Sequence, residues 1–322
     1  MQQRARYNAV VIGAGRIGSE FDSPKSSMVL THAHALSKHR SIELVGFYDS
    51  EKKASAAAAR KWKARAIPDY GAMRNLRPDI ISICTPDVSH FSVLKQVLHV
   101  RPKLVICEKP FSSNPARSNA IISLYRKKKI PILVNYTLLF DPFVQKLRKD
   151  ILNGTFGKIL AASSIYSNGV LHNGPHIVSL ATYLFGRVNS FRVLFSRPDR
   201  LHDRGVGCFM DFERCEQFYM IIGDARKFSN YEFDIVFEKK RIRIFQNGLA
   251  WSSQEVRQDS TFKGYRVLGP SSTKKTSYGK AMSEMVQNAV MHLEKKKPLR
   301  CDSNDALTVE NICHELYKQS VK

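Results

Sequence analysis

Up to about residue 135, short runs of consecutive apolar residues alternate with longer stretches whose apolar positions recur every three or four residues. The runs are Asn8–Ile12, Ile42–Tyr48, Asp79–Cys84, Lys103–Cys107 and Ile130–Val134. Apolar residues that are not interrupted by polar ones mark strands buried on both faces, as in a parallel sheet. Between them, Thr31–Leu36, Ala54–Trp62, Val88–His99 and Ala116–Lys128 carry helical spacing, and Asp69–Asn75 reads as a short helical turn. Strand and helix in regular alternation predict a doubly wound α/β sheet. We place a first domain at 1–135.

The pattern changes in 136–322, the expected second domain. Val144–Leu152 reads as a helix closed by Asn153-Gly154, and a second helix is predicted to start near Pro175 and run to Leu184. Alternating strand patterns follow at Lys158–Ser167, Ser190–Ser196, Gly205–Phe212, Glu216–Ile222, Tyr231–Phe237 and Arg241–Gln246. Val256–Lys275 is polar and reads as a loop over a site. Met282–Leu293 and Asn304–Tyr317 read as closing helices.

Composition narrows the class. The chain has 322 residues, 43% hydrophobic and 25% charged, as in ordinary globular proteins. No apolar run approaches membrane-spanning length, and the first seven residues hold no signal-peptide core, so a cytoplasmic protein is expected. The six cysteines show no CxxC spacing and read as reduced thiols. Net charge is +23, from 51 Lys and Arg against 28 Asp and Glu. The basic residues are dispersed, and the runs Lys127–Lys129 and Lys295–Lys297 fall at helix ends, where they suit the helix dipole. No nucleic-acid partner is expected; attraction to an acidic substrate accounts for the charge as economically.

The candidate chemistry gathers at strand ends. Gly13-Ala-Gly15-Arg16-Ile17-Gly18 follows the first strand and opens a predicted helix, the placement a GxGxxG dinucleotide loop requires. Gly13 permits the tight turn, Gly15 lets the backbone approach a pyrophosphate, and Gly18 allows close helix–strand packing. Asp49 ends the second strand, where an acid binds the adenosine ribose and favours NAD over NADP; Lys52 and Lys53 weaken that exclusion. Asp49 also suits the N-terminus of the following helix. Thr85-Pro86 ends the third long strand, and Glu108-Lys109-Pro110 ends the fourth, presenting an ammonium at the carboxyl edge on a stiff turn.

Taken together, the glycine loop, Asp49, Thr85-Pro-Asp-Val-Ser-His90, Glu108-Lys-Pro110, Asn135-Tyr136, Gly174-Pro-His176 and Leu184-Phe-Gly186 resemble the glucose–fructose oxidoreductase / inositol dehydrogenase / MocA family. The resemblance extends over nearly the whole chain. It implies a Rossmann domain followed by an α/β domain on an open, largely antiparallel sheet that often mediates oligomer contacts. It further implies NAD(P)-dependent chemistry on a sugar, polyol or related carbonyl. Carried onto this chain, it makes Lys109 a contact to substrate and cofactor and His176 the acid/base. His90, Glu108 and Asn135 join the cofactor-binding set, and Tyr136, Tyr166, His172 and Asn173 the substrate-binding set.

Two positions depart from the family pattern. The family often carries aspartates four residues before and three residues after the histidine; here these are His172 and Ser179. His172 cannot supply negative charge to steer an imidazole, so Asn173 or a substrate group is expected to take that part. His172 and His176 stand at i and i+4, a metal-like spacing, but no carboxylate or thiol lies near them in sequence, and no metal is expected. The expected activity is hydride transfer between nicotinamide and a sugar, polyol or nucleotide-sugar carbon, with His176 accepting the hydroxyl proton and Lys109 stabilising the alkoxide. A dinucleotide- and sugar-binding sensor, and an oxidoreductase on a dihydrodiol or tetrapyrrole, are the competing expectations.

Overall fold

The computed structural model describes residues 6–112, 114–199 and 203–321. The N-terminal residues 1–5, where no signal-peptide core was expected, lie outside the described set. The chain divides into two compact units, Met1–Phe140 with Gly279–Thr308, and Asp141–Tyr278 with Val309–Lys322. The boundary expected after residue 135 thus falls at Phe140, and part of the C-terminal helical region belongs to the first unit.

In the first unit, β1 (Tyr7–Ile12), β2 (Ile42–Tyr48), β3 (Arg65–Ala66), β4 (Ile80–Ile83), β5 (Leu104–Glu108) and β6 (Ile132–Asn135) form one sheet in the order β3-β2-β1-β4-β5-β6. Every pairing in it is parallel. The apolar runs become buried because right-handed crossovers cover both faces of such a sheet with helices. These are α1 (His32–Lys38), α2 (Lys52–Trp62), α3 (Tyr70–Asn75), α4 (Asp87–Val100) and α5 (Pro115–Lys127). Asn114 caps α5 through its side-chain oxygen, and Pro115 suits the first helical position.

One helix differs from its sequence reading. After the glycine loop the chain makes only a π-turn at Arg16–Glu20, and α1 begins at His32. The carboxylate of Asp22 is turned inward and accepts from Leu30 N at 2.6 Å and Thr31 Oγ1 at 2.5 Å, with His34 Nδ1 at 2.8 Å. These local bonds hold the loop between the π-turn and α1, and α1 itself matches the helical spacing read at Thr31–Leu36.

The second unit holds α6 (Pro142–Leu152), β7 (Ile159–Tyr166), α7 (Gly174–Phe185), β8 (Val188–Pro198), β9 (Arg204–Phe212), β10 (Cys215–Ile222), β11 (Tyr231–Phe237), β12 (Lys240–Phe245), β13 (Ala250–Gln258), β14 (Arg266–Leu268) and β15 (Ser272–Lys275). Its sheet runs β14-β13-β12-β11-β7-β10-β9-β8, with β15 on β13. All pairings are antiparallel except β10 with β7. Val256–Lys275, expected to be a loop, thus contains the end of β13 and all of β14 and β15. Much of it is edge strand, and it looks polar because edge strands bury little. Phe185 of α7 packs against Phe212, Phe218 and Phe233, joining helix to sheet through an aromatic core. Two longer helices, α8 (Tyr278–Lys295) and α9 (Ser303–Ser320), complete the chain. No helix among the described residues is long and apolar enough to cross a membrane.

Candidate functional site

The carboxyl edge of the first unit's sheet gathers the glycine loop, Thr85, Glu108-Lys109 and Asn135, because each follows or ends a parallel strand. Gly13 holds φ +94, and a Cβ there would lie 2.6 Å from the Cys84 carbonyl carbon. A Cβ on Gly18 would lie at 2.0 Å from Gly13 O, whereas one on Gly15 meets nothing within 4 Å. Gly13 and Gly18 are thus demanded by packing. Gly15 faces open space, the room a pyrophosphate needs for close approach. Arg16 and Ile17 open the π-turn directly behind it.

Asp49 accepts from Ala14 N at 2.7 Å through Oδ2 and from Glu51 N at 2.9 Å through Oδ1. It ties the glycine loop to the end of β2 and leads into α2, whose N-cap is Glu51. The carboxylate keeps lone pairs to spare, since each oxygen can accept more than one bond.

Glu108 is buried with Oε1 lying 2.7 Å from His32 Nε2 and accepting from Asn135 Nδ2 at 2.6 Å. The other ring nitrogen, His32 Nδ1, is 2.5 Å from Ser82 Oγ. Burial works against charge on His32, but the Cys84 sulfur and the Glu108 carboxylate outweigh it and raise its pKa to about 10. Burial likewise opposes ionisation of Glu108, yet His32 and Asn135 hold its pKa below the ordinary value. The two form a buried ion pair of no net charge behind Lys109. Lys109 is half-buried. Burial lowers its pKa, while Glu108 and Asp87 act to raise it. Within the first unit its ammonium has no hydrogen-bond partner among the described residues. Asn135 Oδ1 is buried and also lacks a donor.

His90 is fully buried, with Nδ1 2.9 Å from Pro110 O and Nε2 2.8 Å from Thr85 O. Both ring nitrogens are used to brace the Thr85 and Pro110 turns, so His90 supports the edge from beneath and does not itself face a dinucleotide. Pro86 is the N-cap of α4 and is exposed. Tyr136 is buried at the end of the sheet.

In the second unit, His176 is the third residue of α7 and is half-buried. Its carbonyl accepts from Ser179 Oγ at 3.1 Å and from Tyr231 Oη at 3.3 Å, and the two rings meet edge-on at 6.2 Å. Ser179 is thereby committed to backbone and not to the imidazole. His172 is exposed, on a π-turn at Gly169–Asn173. Asn173 donates to Ser167 O at 2.8 Å.

That π-turn is held by an aspartate from elsewhere in the chain. Asp203 accepts from Leu171 N at 3.0 Å, His172 N at 3.1 Å and Arg204 N at 2.7 Å. Burial raises its pKa against the pull of these backbone donors. Tyr166 is fully buried, its hydroxyl donating to Val206 O at 2.8 Å and accepting from Val206 N at 3.1 Å. The substrate-binding role expected for Tyr166 does not fit this placement, since its only polar atom is consumed in joining β7 to β9. Among the described residues no group of three or more His, Cys, Asp and Glu could hold a metal ion.

Sequence reasoning missed His32, Ser82, Asp203 and Tyr231. For His32 a signal existed: two histidines inside the otherwise apolar Thr31-His-Ala-His-Ala-Leu are polar groups headed for burial, which need partners. Asp203 gives no local signal, because its partners are backbone groups of a distant turn.

Comparison with known proteins agrees with this picture. A family model described as an oxidoreductase family with an NAD-binding Rossmann fold matches residues 7–136. The chain is 22% identical over 188 residues to D-glucoside 3-dehydrogenase of Escherichia coli, covering 54% of this chain and 50% of that protein. It is 28% identical over 162 residues to inositol 2-dehydrogenase of Rhodococcus jostii, covering 49% and 41%. The matched region thus spans about half the length of these relatives, or less. Among solved structures, the WlbA dehydrogenase from Bordetella pertussis in complex with NADH and UDP-GlcNAcA superposes with a TM-score of 0.77 at 15% identity, covering 99% of this chain and 96% of that one. At that identity the likeness shows the fold alone.

Proposed function

Because residues 7–136 belong to the glucose–fructose oxidoreductase / inositol dehydrogenase / MocA family of NAD-binding oxidoreductases, we propose that the chain is a dehydrogenase acting on a CH–OH carbon of a sugar, polyol or nucleotide-sugar. The observation that carries this is Lys109, a half-buried ammonium with no hydrogen-bond partner among the described residues of its own unit, set beside a carboxylate already neutralised by His32. Such a lysine is available to an oxygen that gains negative charge.

The glycine loop fits a dinucleotide. Gly13, Gly15, Arg16, Ile17 and Gly18 would hold the pyrophosphate, Asp49 the ribose, and Thr85, Pro86 and Asn135 the nicotinamide end, with the unpaired Asn135 Oδ1 as an acceptor for an amide donor. Asp49 favours NAD, since a carboxylate repels a 2′-phosphate. When bound, the nicotinamide supplies the hydride chemistry. The chain's own residues do the rest. Lys109 polarises the substrate oxygen, and His176 holds the proton that leaves the hydroxyl. Tyr136, His172 and Asn173 border the substrate, with His172 the exposed member of the three. Leu194 and Phe195 on β8 and Tyr219 and Ile221 on β10 are exposed apolar side chains of the second sheet. They support a homo-oligomer formed through that sheet.

A second reading, a dinucleotide- and sugar-binding sensor, draws on Ser179, whose hydroxyl donates to the His176 carbonyl and not to its imidazole. Cofactor absorbance separates the two. A panel of free sugars, inositols, sugar acids and nucleotide-sugars is assayed with NAD and with NADP, beside Lys109→Ala. Turnover that falls by about 100-fold or more in the variant, with NAD affinity retained, supports the enzyme. Equal loss of turnover and of dinucleotide affinity makes Lys109 a cofactor residue. Tight NAD binding without turnover on any carbohydrate favours the sensor, or the non-carbohydrate substrates named above.

A further inference from the structure

The opposite edge of the first unit's sheet carries a feature that the dehydrogenase reading does not use. A cavity of about 760 Å³ opens at the amino ends of the strands, where Tyr7 begins β1, Lys103 precedes β5 and Ile130-Pro131-Ile132 lead into β6. Its other walls are the end of α5 (Ile122, Tyr125, Arg126, Lys129), the end of α8 (His292, Leu293, Lys296), Pro298-Leu299, and the start of α9. Its size lies within the range of small-molecule sites, about 300–1,000 Å³.

Here the two lysine runs, Lys127–Lys129 and Lys295–Lys297, come together, for Lys129 and Lys296 both line the cavity. Each run had looked like an ordinary helix end. The reason for the meeting is topological: in a parallel sheet every crossover helix returns to the amino edge, so α5 ends there, and α8 packs beside it. The lining contains Lys103, Arg126, Lys129, Lys296 and His292 against a single acid, Asp302. Asp302 turns its Oδ1 to Asn304 N and Asp305 N at the head of α9 and makes no ion pair with these cations among the described residues. Lys103 is paired with Asp79, which sits outside the cavity. Arg126 has only the neutral Asn304 side chain, at 3.0 Å. Lys129 and Lys296 have no ion-pair partner among the described residues. The floor, by contrast, is apolar: Ile122, Ile130, Ile132, Leu293 and Leu299.

We propose that this cavity is a binding site for a small phosphorylated organic anion of nucleotide size, separate from the dinucleotide edge and occupied independently of it. Unneutralised cations on the rim suit two or more phosphate charges, and the apolar floor suits a ring or base. A chain of +23 net charge attracts anions everywhere, so what singles out this place is a concave, partly apolar lining on which Lys129 and Lys296 have no ion-pair partner among the described residues.

The test uses the full chain with saturating NAD, so that the Rossmann site is closed to other nucleotides. Calorimetric titration with GTP is expected to show one site per chain, and guanosine is expected to show none. Lys129→Glu/Lys296→Glu should weaken GTP by about tenfold or more. Lys239→Glu/Lys263→Glu, which changes the net charge equally at exposed positions of the second unit, should not. Leu299→Trp, which fills the cavity without touching charge, should also abolish binding. Independently of any variant, GTP should protect Lys129 and Lys296 of the wild-type chain from acetylation, read by mass spectrometry. Equal weakening in both charge-reversed variants, insensitivity to Leu299→Trp, or absence of protection would overturn the proposal. So would tight binding of a single-stranded RNA 20-mer without GTP binding, which would assign this edge to nucleic acid. Dehydrogenase turnover enters none of these readouts, so failure here leaves the proposed activity untouched.

Discussion

Replacing His32 by alanine removes one member of the buried pair that stands behind Lys109. The imidazole loses a charge-assisted contact of 2.7 Å to Glu108 and a 2.5 Å contact to Ser82. The first is worth about 1.5–3 kcal/mol and the second about 0.5–1.5 kcal/mol. Glu108 is left buried with Asn135 as its one remaining hydrogen-bond partner among the described residues, and breaking a buried ion pair from one side costs about 3–5 kcal/mol in all. For a unit of this size, each kcal/mol moves the melting temperature by about 2–4 °C, so a drop of roughly 6–20 °C is expected. The pH dependence is the sharper test. The pKa of His32 is raised from 6.5 to about 10. Its stabilisation is therefore present in full below 6.5, declines as pH rises above that, and is gone once pH passes about 10. On the acid side, Glu108 is held below its ordinary 4.5, so its contribution is present above 4.5 and is lost as pH falls through the folded value. The gap in melting temperature between wild type and His32→Ala should be widest between about pH 4.5 and 6.5 and should close toward pH 10. Thermal melts followed by circular dichroism at half-unit pH steps measure it. A gap that stays constant from pH 6 to 10.5 would refute the charged pair and leave two neutral hydrogen bonds. Cys84→Ala should move the alkaline midpoint lower, because the Cys84 sulfur is the larger of the two influences raising His32.

Three further outcomes follow from the geometry of the glycine loop and of Tyr166. Gly15→Ala should keep the fold, since the new methyl meets nothing within 4 Å and φ is −73, but should weaken NAD by about tenfold or more in fluorescence titration. Gly18→Ala should instead lower stability by about 3 kcal/mol, because its methyl would sit 2.0 Å from Gly13 O; a melt matching wild type would contradict this. Tyr166→Phe should cost about 1 kcal/mol in denaturant unfolding through loss of its bonds to Val206 and should leave KM unchanged. A raised KM with normal stability would restore the substrate role.

The sequence by itself determined whatever depends on neighbours along the chain. Five largely apolar runs read as strands covered on both faces, and glycines at three fixed offsets after the first read as a tight, open turn. Glu108-Lys109-Pro110 announced itself in the same way, as an ammonium at a strand end. The alternation of β11 and β12 around Lys239 was equally legible. Val256–Lys275 was misread because an edge strand buries too little to print a period, so its pairing is decided by β13 and not by its own residues. Past Gly18 the chain makes only a π-turn, while the helix read at Thr31–Leu36 is there as α1; what the sequence did not show is that Asp22 ties the intervening loop to Leu30, Thr31 and His34.

Only the tertiary structure decided what the polar residues do. Tyr166 looked like a substrate contact until β9 supplied Val206 to its hydroxyl. His32 looked like one polar residue of a helix until parallel pairing brought the end of β5 beside it, and His90 became a brace because the turns after β4 and β5 close over its ring. The lysine runs at the ends of α5 and α8 share a cavity because α5, a crossover helix of the parallel sheet, returns to its amino edge, where the end of α8 packs beside it. Hydrophobic patterning is periodic and local, so one strand or helix is enough to display it. Electrostatic and hydrogen-bond partnerships depend on distances of a few ångströms between segments far apart in the chain, and the completed fold alone sets those distances.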